Sequence, residues 1–211
     1  MARDRIPLTY FCDAMHQANR VTRDYRLLAH THERLELIKK GLPIAGKTVI
    51  DIGCHVGYIP LHMLLWGADN ATGVDIDKGI LKCAEKVTRK LGTYRGMIGF
   101  TPGNIFSCTT PYDYVLCLGV LHKLAEDDYR AALRHLASIT KERLFLEMMV
   151  VTGDKPTLRT RNEKGKWPTS TIPNEAWLED ECRNAGLVVH NRQANPVYSN
   201  RAIWELRPVK K

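Results

Sequence analysis

The chain has no apolar run near the ~20 residues needed to cross a bilayer, and Met1-Ala2-Arg3-Asp4-Arg5 leads into no apolar core of a secretion signal. A cytoplasmic protein is the expectation. Its six cysteines, at positions 12, 54, 83, 108, 117 and 182, form no C-x-x-C pair and have no Cys/His spacing that would hold zinc. They read as reduced, mostly buried thiols, and no metal site is expected. Internal repeats and low-complexity tracts are missing too, which excludes repeat architectures. Acidic residues are in the minority: 23 Asp and Glu stand against 31 Lys and Arg, for a net charge of +8. That balance favours polyanionic or acidic partners through long-range attraction and permits a nucleic-acid substrate.

What remains is an ordinary globular composition, 44% hydrophobic and 26% charged over 211 residues. It suits one domain with a well-buried core, or a domain with a small appendage. From Tyr25 to Lys40, Leu27, Leu28, Leu35, Leu37 and Ile38 recur at near-helical spacing, and Gly41 and Pro43 stop that helix. Short apolar runs then alternate with amphipathic stretches: strand 47–52, helix 57–66, strand 71–75 and helix 77–91. A weak strand at 97–100, a strong one at 112–118, a helix at 126–138 and a strand at 143–149 continue the series. This β-α rhythm implies a parallel sheet with helices on both faces. Residues 152–172 break it with Gly153, Pro156, Gly165 and Pro168 among Lys155, Arg159, Arg161, Lys164 and Lys166. A basic, irregular loop of that length reads as a lid, a substrate surface or disorder. Pro173 is read as the start of a helix through Ala185, followed by two closing strands, 187–190 and 201–206, around a turn at Asn195-Pro196.

The chemistry concentrates in Val49-Ile50-Asp51-Ile52-Gly53-Cys54-His55-Val56-Gly57-Tyr58 and, 24 residues after Asp51, in Gly73-Val74-Asp75-Ile76-Asp77. An apolar strand that ends in a glycine turn and opens into a helix aims backbone N–H groups and a positive dipole end at a ligand. A carboxylate at the tip of the next strand can accept hydrogen bonds from a ribose diol. Dinucleotide sites carry G-x-G-x-x-G; here His55 occupies the position of the second early glycine. Asp51 would also repel a pyrophosphate, whereas it suits a ligand with an ammonium or sulfonium group. Asp77 reads as the N-cap of the following helix.

These residues resemble the first motif, D/E-x-G-x-x-x-G, of the class I S-adenosylmethionine-dependent methyltransferases. The resemblance implies an α/β fold: a seven-stranded, mostly parallel sheet with helices on both faces, Rossmann-like, its last strand antiparallel. It implies S-adenosylmethionine as cofactor, with residues 46–211 as the binding domain and residues 1–45 as an N-terminal helical cap. Asp51, Gly53, Cys54 and Gly57 match the loop that holds the methionine end. Asp75 matches the ribose acid, Ile76 would pack on the adenine, and Asn104 stands where the family bonds the adenine amino group. Tyr112–His122 resembles the fourth motif, whose strand ends at Leu118 beside the sulfonium and whose loop faces the substrate.

That loop lacks the Asn/Asp-Pro-Pro signature of enzymes acting on exocyclic base nitrogens, and Cys117, inside the apolar run, reads as core. His122 is the candidate general base, since imidazole takes up protons near neutral pH; its alternative role is to shape the pocket. His55, Tyr58 and Glu147 are further pocket-wall candidates. Leu144–Met149 and Trp167–Leu178, with Gly57-Tyr58 and Gly119-Val120-Leu121, are also similar to the bacterial tRNA wobble-uridine carboxymethyltransferases. Those proteins are longer at the N-terminus, and their carboxylated cofactor needs cationic and aromatic partners that cannot be assigned here by residue. The acceptor expected is a small molecule, with tRNA or another RNA as the alternative. A non-catalytic cofactor-binding or partner-binding member of the fold is the second alternative; a nicotinamide-dependent reductase is disfavoured by the missing glycine and by Asp51.

Overall fold

The computed structural model describes residues 6, 10–11, 23–40, 42–92, 94, 96–124, 126–153, 158–161 and 170–209. Seven strands form one mixed, mostly parallel sheet in the order β3 (Ile98–Pro102), β2 (Asn70–Asp75), β1 (Thr48–Ile52), β4 (Tyr112–Leu118), β5 (Thr140–Met149), β9 (Arg201–Pro208), β8 (Leu187–Ala194), and β6 (Leu158–Arg161) and β7 (Ser170–Pro173) form a separate two-stranded ladder. The chain divides after Asn104 into two compact units.

In the first unit, β1 (Thr48–Ile52), β2 (Asn70–Asp75) and β3 (Ile98–Pro102) run parallel, with Asp51 opposite Gly73 and Asp75 opposite Pro102. β1 is buried from Val49 to Ile52, the pattern of a strand covered on both faces. Helix α1 (Arg23–Lys39) precedes it, and α2 (Tyr58–Leu65) follows it. Every residue of α2 from Tyr58 to Leu64 is buried. Residues far away in the chain cover it: Phe11 lies 4.9 Å from the Tyr58 ring, Tyr58 Oη is hydrogen-bonded to His32 Nδ1 at 3.0 Å, and the Ile6 N–H donates to His62 Nε2 at 3.1 Å. Helix α3 (Lys78–Leu91) buries Ile80, Leu81, Cys83, Ala84 and Val87, and its exposed last turn carries Arg89 and Lys90. Asp77 starts it as the sequence indicates, accepting from the N–H groups of Gly79 at 2.8 Å and Ile80 at 3.1 Å.

In the second unit, β4 (Tyr112–Leu118) pairs in parallel with β5 (Thr140–Met149), which pairs antiparallel with β9 (Arg201–Pro208), and β9 with β8 (Leu187–Ala194). A short 3-10 turn (Leu121–Lys123) and α4 (Glu126–Ile139) link β4 to β5, and α5 (Glu175–Asn184) precedes β8. Trp204, fully buried on β9, directs its Nε1–H to Glu179 at 3.2 Å.

Two expectations change. Residues 152–172 are not irregular throughout: Leu158–Arg161 (β6) and Ser170–Pro173 (β7) pair antiparallel, with Thr160 opposite Thr171 and Arg159 opposite Ile172. β-branched residues favour such a ladder even inside a glycine- and proline-rich stretch. The helix expected from Pro173 begins instead at Glu175. Asn174 caps it by accepting from Trp177 N–H at 2.8 Å, and Pro173 ends β7, where its missing N–H costs nothing. Lys155, Lys164, Gly165, Lys166, Trp167 and Pro168 lie outside the described residues, as do Cys12, Gly41 and much of the expected N-terminal cap. Among the described residues no helix is long and apolar enough to cross a membrane.

Candidate functional site

In the first unit the carboxyl ends of β1 and β2 bring Asp51, Gly53, Cys54, Gly57, Asp75 and Ile76 together. The β1 turn is tied to β2 by its backbone: Gly53 N–H and Cys54 N–H both donate to Val74 O, at 2.7 and 3.0 Å, and Gly57 N–H donates to Cys54 O at 2.9 Å. This corrects one expectation. The amides of Gly53, Cys54 and Gly57 are engaged inside the turn, so the loop shapes the site by its tight course and does not offer those N–H groups to a ligand. Gly53 and Gly57 stand at φ +80° and +73°, where glycine alone is unstrained. A Cβ at Gly57 would also lie 2.7 Å from the Phe100 ring. His55 fills the place of a third glycine by adopting φ +51° itself, a conformation histidine tolerates better than most residues.

Asp75 holds that turn. Its Oδ2 accepts from His55 N–H at 2.9 Å and its Oδ1 from Asp77 N–H at 3.0 Å, while its carbonyl accepts from Gly103 N–H at 2.9 Å. The last bond places Asn104, which is exposed, beside the tip of β2. Ile76 follows Asp75 with 69% of its surface exposed, an aliphatic side chain with no core of its own. Each carboxylate oxygen keeps a further acceptor site, so Asp75 can fix the turn and still receive hydroxyls.

Asp51 is different. It is 1% exposed, and its Oδ2 has no hydrogen-bond partner among the described residues. Burial, reinforced by the charge of Asp75 and opposed by Arg34, pushes its pKa up to about 7. An unpaired buried carboxylate is costly, and a cation placed against it would remove that cost. Arg34, on α1, is itself buried and donates to Thr31 Oγ1 at 2.7 Å. The Cys54 thiol is pushed far up by burial and by the two acids, so it remains protonated and does no ionic chemistry. Among the described residues no group of three or more His, Cys, Asp or Glu side chains is placed to hold a metal ion. A concavity of about 380 Å³ is bounded by Lys39, Leu42, Pro43, Ile44 and Trp66, and none of these carboxylates lines it.

In the second unit, Leu118 ends β4 opposite Glu147 of β5, and Gly119, at φ +74°, turns the chain into the segment that holds His122. Cys117 is fully buried. His122 is 9% exposed with no partner at Nδ1 among the described residues; burial first, then the charges of Arg201 and Lys123, push its pKa down to about 4. The imidazole is therefore neutral at physiological pH and a weaker base than its residue type promised. Glu147 is fully buried and accepts from Asn195 Nδ2 at 3.0 Å and Arg201 NH1 at 3.3 Å. It is a structural anchor, and Tyr58, in the first unit, belongs to the buried α2 cluster.

The methyltransferase domain family matches residues 18–192. The chain belongs to that family. Over 168 residues it is 30% identical to the chloroplastic magnesium protoporphyrin IX methyltransferase of Arabidopsis thaliana, covering 79% of this chain and 53% of that protein. Over 155 residues it is 30% identical to the tRNA U34 carboxymethyltransferase of Cronobacter sakazakii, covering 69% of this chain and 46% of that one. The methyltransferase domain thus spans about half the length of the curated relatives it matches. Its fold superposes on the 1,6-didemethyltoxoflavin-N1-methyltransferase of Burkholderia thailandensis, with bound 1,6-didemethyltoxoflavin and S-adenosylhomocysteine, with a TM-score of 0.74 at 16% identity, covering 96% of this chain and 87% of that one. For the magnesium protoporphyrin IX methyltransferase of Synechocystis PCC 6803 with bound S-adenosylhomocysteine the TM-score is 0.71 at 18% identity, over 93% of each chain.

Proposed function

We propose that this methyltransferase domain is an S-adenosylmethionine-dependent enzyme that methylates an oxygen or nitrogen nucleophile of a small cytoplasmic molecule. The observation that carries the reading is Asp51, a fully buried carboxylate with a free oxygen at the end of β1, one strand from Asp75 and beside the Gly53–Gly57 turn. These residues fit the cofactor. Asp51 would pair with its ammonium, Asp75 would receive its ribose hydroxyls, and Ile76 and Asn104 would meet its adenine. When bound, the cofactor supplies an electrophilic methyl group. Ionised Asp51 anchors one end and Asp75 the other, which fixes orientation, and alignment alone supplies much of such a rate. His122, neutral at pH 7, can accept the proton that leaves the acceptor as the new bond to carbon forms. With its low basicity it serves best where the acceptor is already acidic.

The similarity to tRNA U34 carboxymethyltransferase and the net charge of +8 support a second reading, transfer to tRNA. Calorimetric titration with S-adenosylmethionine, S-adenosylhomocysteine, carboxy-S-adenosylmethionine and NAD tests both. Micromolar binding of the first two, with NAD ignored, is the expected result. Preference for the carboxylated cofactor would move the reading to carboxymethyl transfer, and silence toward all four would leave a fold without the chemistry.

A further inference from the structure

The end of the second unit holds a group of side chains that the cofactor does not use. Arg201 opens β9 with its guanidinium fixed on several sides. Its NH1 donates to buried Glu147 at 3.3 Å, its plane lies 4.8 Å from the Tyr198 ring, and its backbone N–H bonds Tyr198 O at 3.0 Å. Asn195 completes the frame by donating to Glu147 and by accepting from Val197 N–H and Tyr198 N–H at 2.8 and 2.9 Å. The side chain keeps 20% of its surface exposed, while its Nε–H is buried with no partner among the described residues. Arg201 NH1 and His122 Cε1 both flank Gly119, 3.3 and 3.7 Å from where a Cβ would stand, so the glycine leaves no side chain between them. His122, nine-tenths buried, brings its own unpartnered Nδ1. Two under-satisfied polar side chains, His122 buried and Arg201 with 20% of its side chain exposed, thus flank one glycine, and a rigid arginine fork matches a carboxylate better than any neutral group.

Building on the methyl-transfer reading, we propose that Arg201 and His122 form the recognition point for a carboxylate on the acceptor, with Glu147 as the residue that positions Arg201. The acceptor is then a carboxylate-bearing small molecule. Arg201 donates to its oxygens through Nε and NH2, and neutral His122 adds a third N–H from Nδ1. Glu147 keeps the guanidinium charge compensated while the site is empty, which is why a cation can stand largely covered there.

Benzoate and its uncharged isostere benzamide are the probes. Each is titrated into the full chain with S-adenosylhomocysteine present, following the arginine Nε–H and histidine Cε1–H resonances by NMR. Benzoate is expected to shift the Arg201 and His122 signals and to bind at least tenfold more tightly than benzamide. Arg201→Lys should lose most of that preference and Arg201→Gln all of it. Because Arg201→Gln strands a buried Glu147, the Glu147→Gln/Arg201→Gln pair is measured beside it and should behave alike. Equal binding of the two probes to the unaltered protein, or a preference that survives in the double variant, would overturn the proposal. So would a carboxy-S-adenosylmethionine preference that vanishes in the double variant while benzoate binding persists, since the anion would then belong to the cofactor. S-adenosylhomocysteine affinity in the same samples depends on Asp51 and Asp75, not Arg201, so failure of this inference is told apart from failure of the methyltransferase reading.

Discussion

The carboxyl ends of β1 and β2 in the first unit and of β4 and β5 in the second use opposite electrostatics. The first gathers two acids, Asp51 and Asp75, around a turn bonded through its own backbone. The second gathers Arg201 and His122 and holds an acid, Glu147, already paired. An acidic end suits a cationic ligand, and a basic end suits an anionic one. The two ends also differ in how they are built. Residues 51–57 and 73–77 are contiguous runs, whereas Gly119, His122, Glu147, Asn195 and Arg201 come from four separate segments.

The sharpest way to break the first end is Gly57→Ala. A residue with Cβ at φ +73° carries about 1–2 kcal/mol of strain, and the contact with Phe100 at 2.7 Å adds overpacking of about 1–3 kcal/mol. A loss of about 3 kcal/mol in urea unfolding is expected, with cofactor binding lost alongside it. A stable variant that still binds would show that the turn's conformation is not what shapes the site.

Asp75→Ala comes next. Loss of hydrogen bonds to a charged group should weaken S-adenosylhomocysteine by about 1.5–3 kcal/mol, read by calorimetry. The two backbone bonds from His55 and Asp77 are lost as well, so the variant should also unfold more easily. Weakened folding with unchanged affinity would assign Asp75 to the turn alone.

Asp51 sharpens the comparison through pH. Its pKa in the free protein is raised to about 7, and a cationic ligand binds the ionised form, so affinity should fall as pH drops below 7. The limit is tenfold, about 1.4 kcal/mol, per pH unit, with a plateau above. For folding the sign is reversed. A raised carboxylate pKa favours the protonated native state, so stability is lost as pH climbs from the ordinary carboxylate range toward 7. Asp51→Asn should therefore flatten the binding profile and raise the free protein's melting temperature at pH 8. A profile as steep as before would place the titrating group elsewhere.

The difference in construction also explains what could be read from sequence. Asp77 declared itself as an N-cap because capping is a matter of two or three residues, and Asp51, Gly53, Gly57 and Asp75 stand out because strand, turn and helix follow one another directly. The fold was legible for the same reason, being a succession of local β-α units. Phe100 was hidden: a residue of an unremarkable third strand, it packs across Gly57 and Gly73, and only strand order brings it there. Arg34 reads in the sequence as one more charge on a helix, yet it lies buried where its charge is felt by Asp51. Arg201 was invisible for the same reason, since nothing near it in the chain distinguishes it from the other arginines. Pairing of β9 with β5 makes it a partner of Glu147.

His122 supplies the smallest and most discriminating effect. Its pKa falls from 6.5 to about 4 because burial and the adjacent cations disfavour the imidazolium. A lowered histidine pKa means the native state resists protonation, so stability is intact above 6.5 and is lost progressively as pH falls toward 4. At pH 6 that loss amounts to about 0.8 kcal/mol for this one group. His122→Gln should recover most of it, measured as the difference in urea midpoints between pH 6 and pH 8 relative to the unaltered protein. Burial does most to hold the imidazole neutral, and Arg201 and Lys123 add to it; a carboxylate bound at Arg201 would offset one of those cations, so benzoate should raise the His122 pKa and shrink the same difference. If benzoate leaves the His122 titration where it was, the basic end of the second unit does not receive anions, and its contrast with the acidic end is a matter of folding alone.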